Sequence, residues 1–482
     1  MAQATPTPHN AANDPTASAT TATSVAPQPP TRRGAGVGLL IGVNLLWLPL
    51  SMLFNSLQSL VLPFYVAGIS SPLKQATTLG LLLFVGLAAG ALVQPLAGIA
   101  SDRLRGAGWL GRRTPFILVG TLLTLALLVG FAFANSLLTL ALAYIGVNLA
   151  AGVAQAGAQG LMPDLIPTRQ RGSAAGLKSL LELLGSVVGF SVAGMLIRRG
   201  NLGGVSLAIG IILAVGALLT LAVVREGRAD AARQAQQEPA LATGTAPDAP
   251  DVTPTPATTT TASPVSGLAQ IASQQRLSEL NATAQADARA NRSVWARVLV
   301  SRLFFLLAVY GIGHFLLYFV RARLHLVGAS SAAVTSGILT VLTLVTALVG
   351  LGGGWLSDRV GRLPVLWVAG IASAIGVVIL IPATTLPLIY VGGAVMSLGS
   401  GLFASANWAL AADLAPTGNG GRFFGLLALA TGGAAALAGL LGPLVDYAGY
   451  NALFALAAVF FVVGVAIIPR TVGQRVVAPV AV

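Results

Sequence analysis

The sequence contains no cysteine, and only 9% of its 482 residues are charged. The absence of cysteine excludes disulfides, iron–sulfur clusters and thiol nucleophiles. The three histidines are scattered along the chain, so they do not indicate a metal site. No nucleophile–base pair indicates an enzyme, and no cofactor is expected. Because a typical soluble domain carries roughly 25% charged residues, most of this chain is unsuited to contact with water.

Apolar sequence takes the place of charge, since 55% of the residues are hydrophobic and the mean hydropathy is +0.83. The few charges are mostly basic and give a net charge of +13. In a soluble protein this excess would suggest nucleic acid, but in a membrane protein it is typical of cytoplasmic loops. We therefore expect the lipid bilayer, and no nucleic acid, as a partner.

Twelve stretches are long and apolar enough to span a membrane, for which about 20 residues are needed. They cover residues 37–62, 77–100, 115–134, 137–161, 173–197, 202–224, 298–320, 332–356, 364–381, 386–410, 423–445 and 451–468. Between the two groups of six, the polar segment 225–297 predicts a cytoplasmic linker that is largely disordered, in which 267–294 can form a surface helix. The segments 1–36, read as disordered, and 469–482 are predicted to be cytoplasmic tails.

The distribution of basic residues predicts the orientation. With both termini and the linker inside, all but five of the 27 Lys and Arg lie on the cytoplasmic side. The five are Lys74, Arg198, Arg199, Arg321 and Arg323. Because cytoplasmic loops carry an excess of Lys and Arg, this predicts a multi-pass protein of the cytoplasmic (inner) membrane with both termini cytoplasmic. We expect it to function as a monomer.

The two halves of the chain repeat each other. The segment PDLIPT at 163–168 recurs as ADLAPT at 412–417, about 250 residues later. The same offset carries Gly111 and Arg112 onto Gly361 and Arg362. Two loop motifs repeated in register are typical of transporters built from two parallel six-helix repeats with a site near the midplane.

The loops after the second and eighth stretches carry charged motifs. The first reads GIASDR at 98–103, followed by GRR at 111–113, and the second reads GWLSDRVGR at 354–362. Their glycines permit close helix contact, and their aspartates can bind arginines or a neighbouring helix end, which predicts a gate; alternatively, the charges only set topology. The candidate gating residues are Gly98, Asp102, Arg103, Arg112, Arg113, Asp164, Arg171, Gly354, Asp358, Arg359, Arg362, Asp413 and Arg422.

These motifs resemble the signature of the major facilitator superfamily, which implies an all-α membrane fold of twelve helices in two six-helix repeats. A narrower resemblance lies in LPFY at 62–65, LVQPLAG at 92–98 and GRRTPFI at 111–117, which are similar to sucrose–proton symporters and the glycoside–pentoside–hexuronide group. It implies secondary active transport of a sugar or glycoside by alternating access, with a proton as the coupling ion. Where those carriers place an acid and an arginine in the fourth helix, this chain has Asn148 and Gln159.

In that superfamily the first, fourth, seventh and tenth helices line the cavity, and each carries a polar stripe here at helical spacing. The candidate substrate-binding residues are Asn44, Trp47, Asn55, Gln58, Asn148, Gln155, Gln159, Tyr310, His314, Asn407 and Trp408. Amides beside aromatic rings suit a neutral polyol such as a sugar. The alternative is hydrogen bonding between helices, for which membrane proteins also use Asn and Gln.

Proton coupling needs a titratable group inside the membrane, and Glu182 is the only carboxylate deep in an apolar stretch. Lys178 lies one helical turn earlier, so an internal ion pair is an alternative role for both residues. His314 is a second proton candidate. Arg302, near the cytoplasmic end of the seventh stretch, is expected to extend its charge to the membrane surface.

Three other functions compete with a symporter. The chain can be an exporter or antiporter of amphipathic compounds, an uncoupled facilitator, or a membrane sensor that transports nothing. The polar stripes favour the symporter over the exporter, whose pocket is usually more apolar. A sensor is disfavoured because no soluble signalling domain is recognisable.

Overall fold

The computed structural model describes residues 36–103, 113–167, 170–242, 264–414 and 420–468, with the side chains of 225–292 and 420–424 left outside the description. Its regular elements are all helical in these ranges and form twelve helices. They are α1 (Val37–Ile69), α2 (Gln75–Arg103), α3 (Thr114–Ala132), α4 (Leu137–Leu165), α5 (Arg171–Arg198), α6 (Leu202–Ala242), α7 (Pro264–Leu324), α8 (Gly328–Val360), α9 (Arg362–Leu380), α10 (Leu386–Asp413), α11 (Gly420–Gly439) and α12 (Gly442–Ala466).

Eleven of these helices contain a segment long and apolar enough to cross a membrane, and α11 is a shorter apolar helix. Large apolar side chains such as Leu138, Leu207 and Val368 are exposed on them. A helix satisfies its own backbone hydrogen bonds, so it can present such side chains to hydrocarbon chains without stranding polar groups. The fold is therefore that of a multi-pass membrane protein.

Several helix boundaries differ from the sequence-based prediction. The first helix continues to Ile69, passing through one π-helical turn at Leu57–Val61. Near the other end of the chain, α11 stops at Gly439 and α12 starts at Gly442. Gly449 then interrupts α12, because its φ of 78° is not helical. The prediction had instead joined the first part of α12 to the eleventh span.

Parts of the segment predicted as a cytoplasmic linker are helical, including the stretch 267–294 for which a helix was expected. Residues 225–242 continue α6, and residues 264–297 form the first part of α7. These are polar extensions of membrane spans, whose apolar parts are Leu202–Val224 and Ser293–Leu324. Residues 243–263, and the two predicted tails apart from residue 36, lie outside the described residues.

The helix bundle has two chemically different ends. We call one the charged end, because Arg113, Asp164, Arg362 and Asp413 lie there, where α2, α4, α8 and α10 finish. We call the other the sealed end, where α2 and α8 begin and α11 finishes. Because consecutive helices run in opposite directions, the first and last of the twelve described helices both have their free termini at the charged end.

Close helix contacts join the halves at the sealed end. A Cβ added to Gly80 would clash with the carbonyl oxygen of Gly439, and one added to Gly439 would clash with that of Gly80. Helices α2 and α11 therefore touch through their backbones, which only glycine permits. On the other side of the bundle, α5 and α8 also pack closely, since a Cβ at Gly194 would overlap the side chain of Ser336.

We predict that Gly80→Ala destabilises the closed seam, because the added methyl group meets backbone rather than a side chain that can move aside. The measurement is the melting midpoint of the purified protein in detergent, which should fall. Gly98→Ala on the same helix is the matched control, since nothing among the described residues lies within 4 Å of its Cβ. Alanine favours a helix by about 1 kcal/mol over glycine, so the control should not lose stability. Equal effects of both substitutions would contradict the account.

Candidate functional site

A carboxylate crosses from one half to the other at the sealed end. Asp446 of α12 accepts hydrogen bonds from the backbone N–H groups of Ala76 at 3.1 Å and Thr77 at 2.7 Å. These N–H groups belong to the first turn of α2, where a helix has no partner of its own for them. The negative charge also complements the positive end of the helix dipole. Asp446 thus caps a helix of the other half.

Tyr318 makes a second hydrogen bond across this end, from its hydroxyl to the carbonyl oxygen of Pro63 at 3.0 Å. No role for Asp446 was predicted from the sequence. One feature of the sequence distinguishes it, since Asp446 is the only acidic residue after Asp413. Its partners could not be inferred, since they lie 370 and 369 residues away in the sequence.

The charged end of the first half is organised by Arg113, whose guanidinium is buried. Arg113 binds Asp102 at 2.7 Å and Asp164 at 3.0 Å, and it donates to the hydroxyl of Ser101 at 3.1 Å. A Cβ at Gly160 would overlap this guanidinium, so the glycine makes room for it. One arginine thereby ties together the ends of α2, α3 and α4.

The second half repeats this arrangement. Arg362 contacts Asp358, binds Asp413 at 3.1 Å and donates to Ser357 at 3.1 Å. The partners are again a serine, the aspartate that follows it and the aspartate that ends the fourth helix of the half. Arg362 is therefore the counterpart of Arg113, and the sequence alignment that paired it with Arg112 was displaced by one residue.

The other described candidate gating residues do not belong to these two arginine clusters. Arg171 donates to the carbonyl oxygens of Ile166 and Pro163. Arg359 lies over the ring of Trp355 at 4.0 Å. Arg103 is exposed. Arg112 and the side chain of Arg422 lie outside the described residues.

The predicted close contacts at Gly98 and Gly354 do not form in this conformation. A Cβ at either position would meet no heavy atom within 4 Å in the described part of the chain. Their role at a gate stays a prediction for another conformation.

In the middle of the first half, Lys178 and Glu182 form an ion pair at 3.0 Å. The ammonium also lies 3.9 Å from the ring centroid of Trp47, a cation–π contact between α5 and α1. One turn along α1, the hydroxyl of Ser51 donates to the backbone carbonyl of Glu182 at 2.6 Å. The side-chain nitrogen of Asn55 donates in turn to the carbonyl oxygen and to the hydroxyl oxygen of Ser51. The predicted residues Trp47, Asn55, Lys178 and Glu182 thus form one cluster.

The middle of the second half contains a buried arginine, Arg302. Arg302 is buried, with 7% of its surface exposed, so the prediction that it extends to the membrane surface was wrong. It donates to Asn407 of α10 at 2.9 Å and to Thr431 of α11 at 3.0 Å. Its guanidinium lies 5.1 Å from the ring centroid of Trp408. Each half therefore places a cation against a tryptophan ring.

The two groups lie in different halves, since the ion pair is on α5 beside α1 and Arg302 is on α7 beside α10 and α11. Tyr310 lies about two helical turns along α7 from Arg302. One turn further, His314 stacks on Tyr310 with 6.0 Å between ring centroids. His314 is fully buried, and neither ring nitrogen has a hydrogen-bond partner among the residues described.

The predicted amides divide into two sets. The first set is Gln155 and Gln159 of α4, which bind the side chain of Gln94 of α2. Gln94 donates to Gln155 at 2.8 Å and accepts from Gln159 at 3.5 Å. The second set is inaccessible here: Asn44 donates to Leu40, and Asn148 donates to Tyr144, each within its own helix. Asn148 also packs against the glycines of α2, and Gln58 is buried in the π-helical turn. These positions suit helix packing in this conformation, so a role in substrate binding stays a prediction for them.

The sequence of the chain identifies its family. The profile of the Major Facilitator Superfamily matches residues 48–350 and 303–479. The chain belongs to the Major Facilitator Superfamily, which is a class of membrane transporters and not of enzymes. No curated protein sequence matches the chain significantly. The narrower resemblance to sucrose–proton symporters therefore stays a prediction.

Solved transporter structures share the fold. A peptide-transporter (POT) family member in complex with 5-aminolevulinic acid has a TM-score of 0.63 at 14% identity, covering 93% of this chain and 98% of that one. A D-xylose–proton symporter has a TM-score of 0.60 at 16% identity, covering 90% and 96%. A bacterial homolog of the human lysosomal transporter Spinster, inward-facing and occupied, has a TM-score of 0.58 at 17% identity, covering 91% and 96%. At these identities the likeness establishes the fold alone.

We predict that Asp446→Asn loosens the sealed end, because an amide can accept one of the two N–H groups but presents a donor to the other. A cysteine placed at Ser59, on α1 near Gly313 of α7, reports this as the only thiol in the chain. Its reaction with a membrane-impermeant reagent from the sealed side should accelerate by about tenfold, as expected for a lost charge-assisted hydrogen bond.

The control for this variant is Asp102→Asn, the same substitution at an exposed carboxylate of the charged end. It leaves the sealed end intact, so labelling at position 59 should not accelerate. Unchanged labelling in Asp446→Asn would show that the cap does not hold the halves together.

Proposed function

We propose that this protein is a proton-coupled secondary transporter that moves a small polar solute, a sugar or glycoside, across the cytoplasmic membrane by alternating access. The observation that carries the proposal is the Lys178–Glu182 ion pair, placed beside Trp47 of α1, one of the helices predicted to line the cavity. An ion pair inside the bundle is suited to couple proton exchange to the movement of the halves.

The conformation is consistent with an inward-facing state. The distribution of basic residues predicts that both termini, and with them the charged end, face the cytoplasm. The sealed end then faces outwards, and it carries the contacts between the halves through Gly80, Gly439, Asp446 and Tyr318. Outward opening would require these contacts to separate and the charged end to close.

The arginine clusters at the charged end give each half the stiffness that such a movement requires. Arg113 holds three helix ends of the first half together, and Arg362 does the same in the second half. Each half can then rotate as a unit. Asp102 is 59% exposed and Asp358 is 65% exposed, so both can exchange partners when the charged end closes.

Glu182 is the favoured coupling group, since its side chain is partly exposed and directly faces a cation. When the proton leaves, Lys178 stabilises the carboxylate. His314 is the second candidate, because both of its ring nitrogens are buried without a partner among the described residues. The asparagines and glutamines of the stripes cannot exchange a proton, and they suit the hydroxyl groups of a solute.

Uptake by reconstituted protein tests the proposed function. Labelled disaccharides should accumulate in proteoliposomes when the outside is acidic, and collapse of the pH gradient should abolish accumulation. Retention of accumulation without any gradient, or export of amphipathic dyes in place of uptake, would contradict it.

We predict that Glu182→Gln abolishes gradient-driven accumulation but preserves downhill exchange of solute. The amide resembles the protonated acid in shape and polarity, yet it cannot release a proton. Exchange across vesicles loaded on both sides measures the second property. If Glu182→Gln retained accumulation, Glu182 would not be the coupling group.

The double variant Lys178→Met with Glu182→Gln controls for folding. Removal of the carboxylate alone leaves the ammonium of Lys178 without its counter-charge, which can destabilise the protein independently of coupling. The double variant removes both charges, so its melting midpoint should recover while accumulation stays absent.

A further inference from the structure

Arg302 is a buried cation with no neutralising anion among the described residues. No carboxylate lies within ion-pair distance of its guanidinium in the described chain, where its partners are the neutral side chains of Asn407 and Thr431. A guanidinium removed from water is normally paired, because its desolvation is otherwise uncompensated. Lys178 of the other half shows the usual solution, since Glu182 lies 3.0 Å from it.

The hydrogen-bond donors around Arg302 also lack acceptors. Arg302 donates through Nε and Nη1, while its Nη2 has no hydrogen-bond partner in the described part of the protein. The side-chain nitrogen of Asn407 is likewise buried without a partner there. Its orientation is fixed, because the oxygen of the same amide accepts from Arg302 and a flipped amide would oppose two donors. Two neighbouring donors, Nη2 of Arg302 and Nδ2 of Asn407, thus have no acceptor among the described residues.

The net charge of the central region also indicates an anionic ligand. Between the charged and sealed ends, the formally charged side chains of the described spans are Lys178, Glu182 and Arg302. Since the first two neutralise each other, one positive charge remains, on Arg302. A ligand with a single negative charge would neutralise the region.

We propose that the transported solute carries an oxyanion, such as a carboxylate, that binds to Arg302 and the amide nitrogen of Asn407 above the ring of Trp408. The proposal rests on the proposed function and narrows its substrate from sugars and glycosides in general to those that carry an acidic group, such as a sugar acid. An arginine fork matches the two oxygens of a carboxylate, whereas a neutral hydroxyl group would leave the charge uncompensated. Uptake of a monoanion together with one proton would move no net charge.

Matched pairs of compounds test this chemistry on the purified full-length protein in detergent. Each pair is a carboxylate and its primary amide: lactate and lactamide, gluconate and gluconamide, succinate and succinamide. Inorganic phosphate alone forms a separate arm, which distinguishes an organic acid from an inorganic oxyanion. The shift of the melting midpoint with ligand concentration measures affinity without any gradient. We expect at least one oxyanion to stabilise the protein, and its neutral counterpart to do so at least tenfold more weakly.

Arg302→Gln should lower the affinity for the stabilising oxyanion by about 10- to 100-fold, as expected for lost charge-assisted hydrogen bonds. Arg302→Lys keeps the charge but loses the fork, so its affinity should be intermediate. Arg323→Gln is the matched control, since it removes the same charge from the same helix at the sealed end, where Arg323 donates to Asn451 and Ile381. It should bind as the unaltered protein does.

A purely structural role for Arg302 gives different results. If it only braced α7 against α10 and α11, Arg302→Gln would lower the melting midpoint without ligand and leave the ratio of oxyanion to amide affinity unchanged. If Arg302 is instead an uncompensated charge, Arg302→Gln should leave the melting midpoint without ligand unchanged or raise it. Equal binding of both members of every pair, or binding of none of the oxyanions, would overturn the proposal. Because binding is measured at equilibrium, failure of proton-driven uptake would refute the proposed function without affecting this result.

Discussion

The contact between the two halves at the sealed end is the constraint on which the rest of the structure depends. Gly80 and Gly439 bring two helices into backbone contact, and Asp446 satisfies the first N–H groups of α2 across the same joint. These contacts join the same helix ends, so they would have to separate together when this end opens. The protein is therefore expected to switch between two packed arrangements, as alternating access requires.

If the protein is the proposed symporter, the two halves of its centre would have different tasks. The first half holds a neutral ion pair, Lys178 and Glu182, that suits proton exchange. The second half holds Arg302, a cation with hydrogen bonds but no counter-charge among the described residues. Movement of the halves would alter both environments together, which links proton and solute.

Local sequence was sufficient for the spans and loop motifs, because hydropathy and short charged patterns depend on neighbouring residues. It was insufficient for Arg302 and Asp446, whose partners lie between 105 and 370 residues away. Helical spacing placed Asn148 in a polar stripe but could not show that it packs against α2. A repeated Gly-Arg string aligned Arg362 with Arg112, whereas the shared aspartate and serine partners identify Arg113 as its counterpart.

Two distances measured in one preparation test the central claim of alternating access. Spin labels at Leu73 and Tyr447, both exposed, report the sealed end, and labels at Ile99 and Val360 report the charged end. Pulsed electron resonance in lipid nanodiscs, at acidic and at neutral pH, gives the distance distribution across each end. The account predicts that the population with a longer sealed-end distance equals the population with a shorter charged-end distance. Distances that stay single and fixed at both pH values, or that lengthen together at both ends, would contradict it.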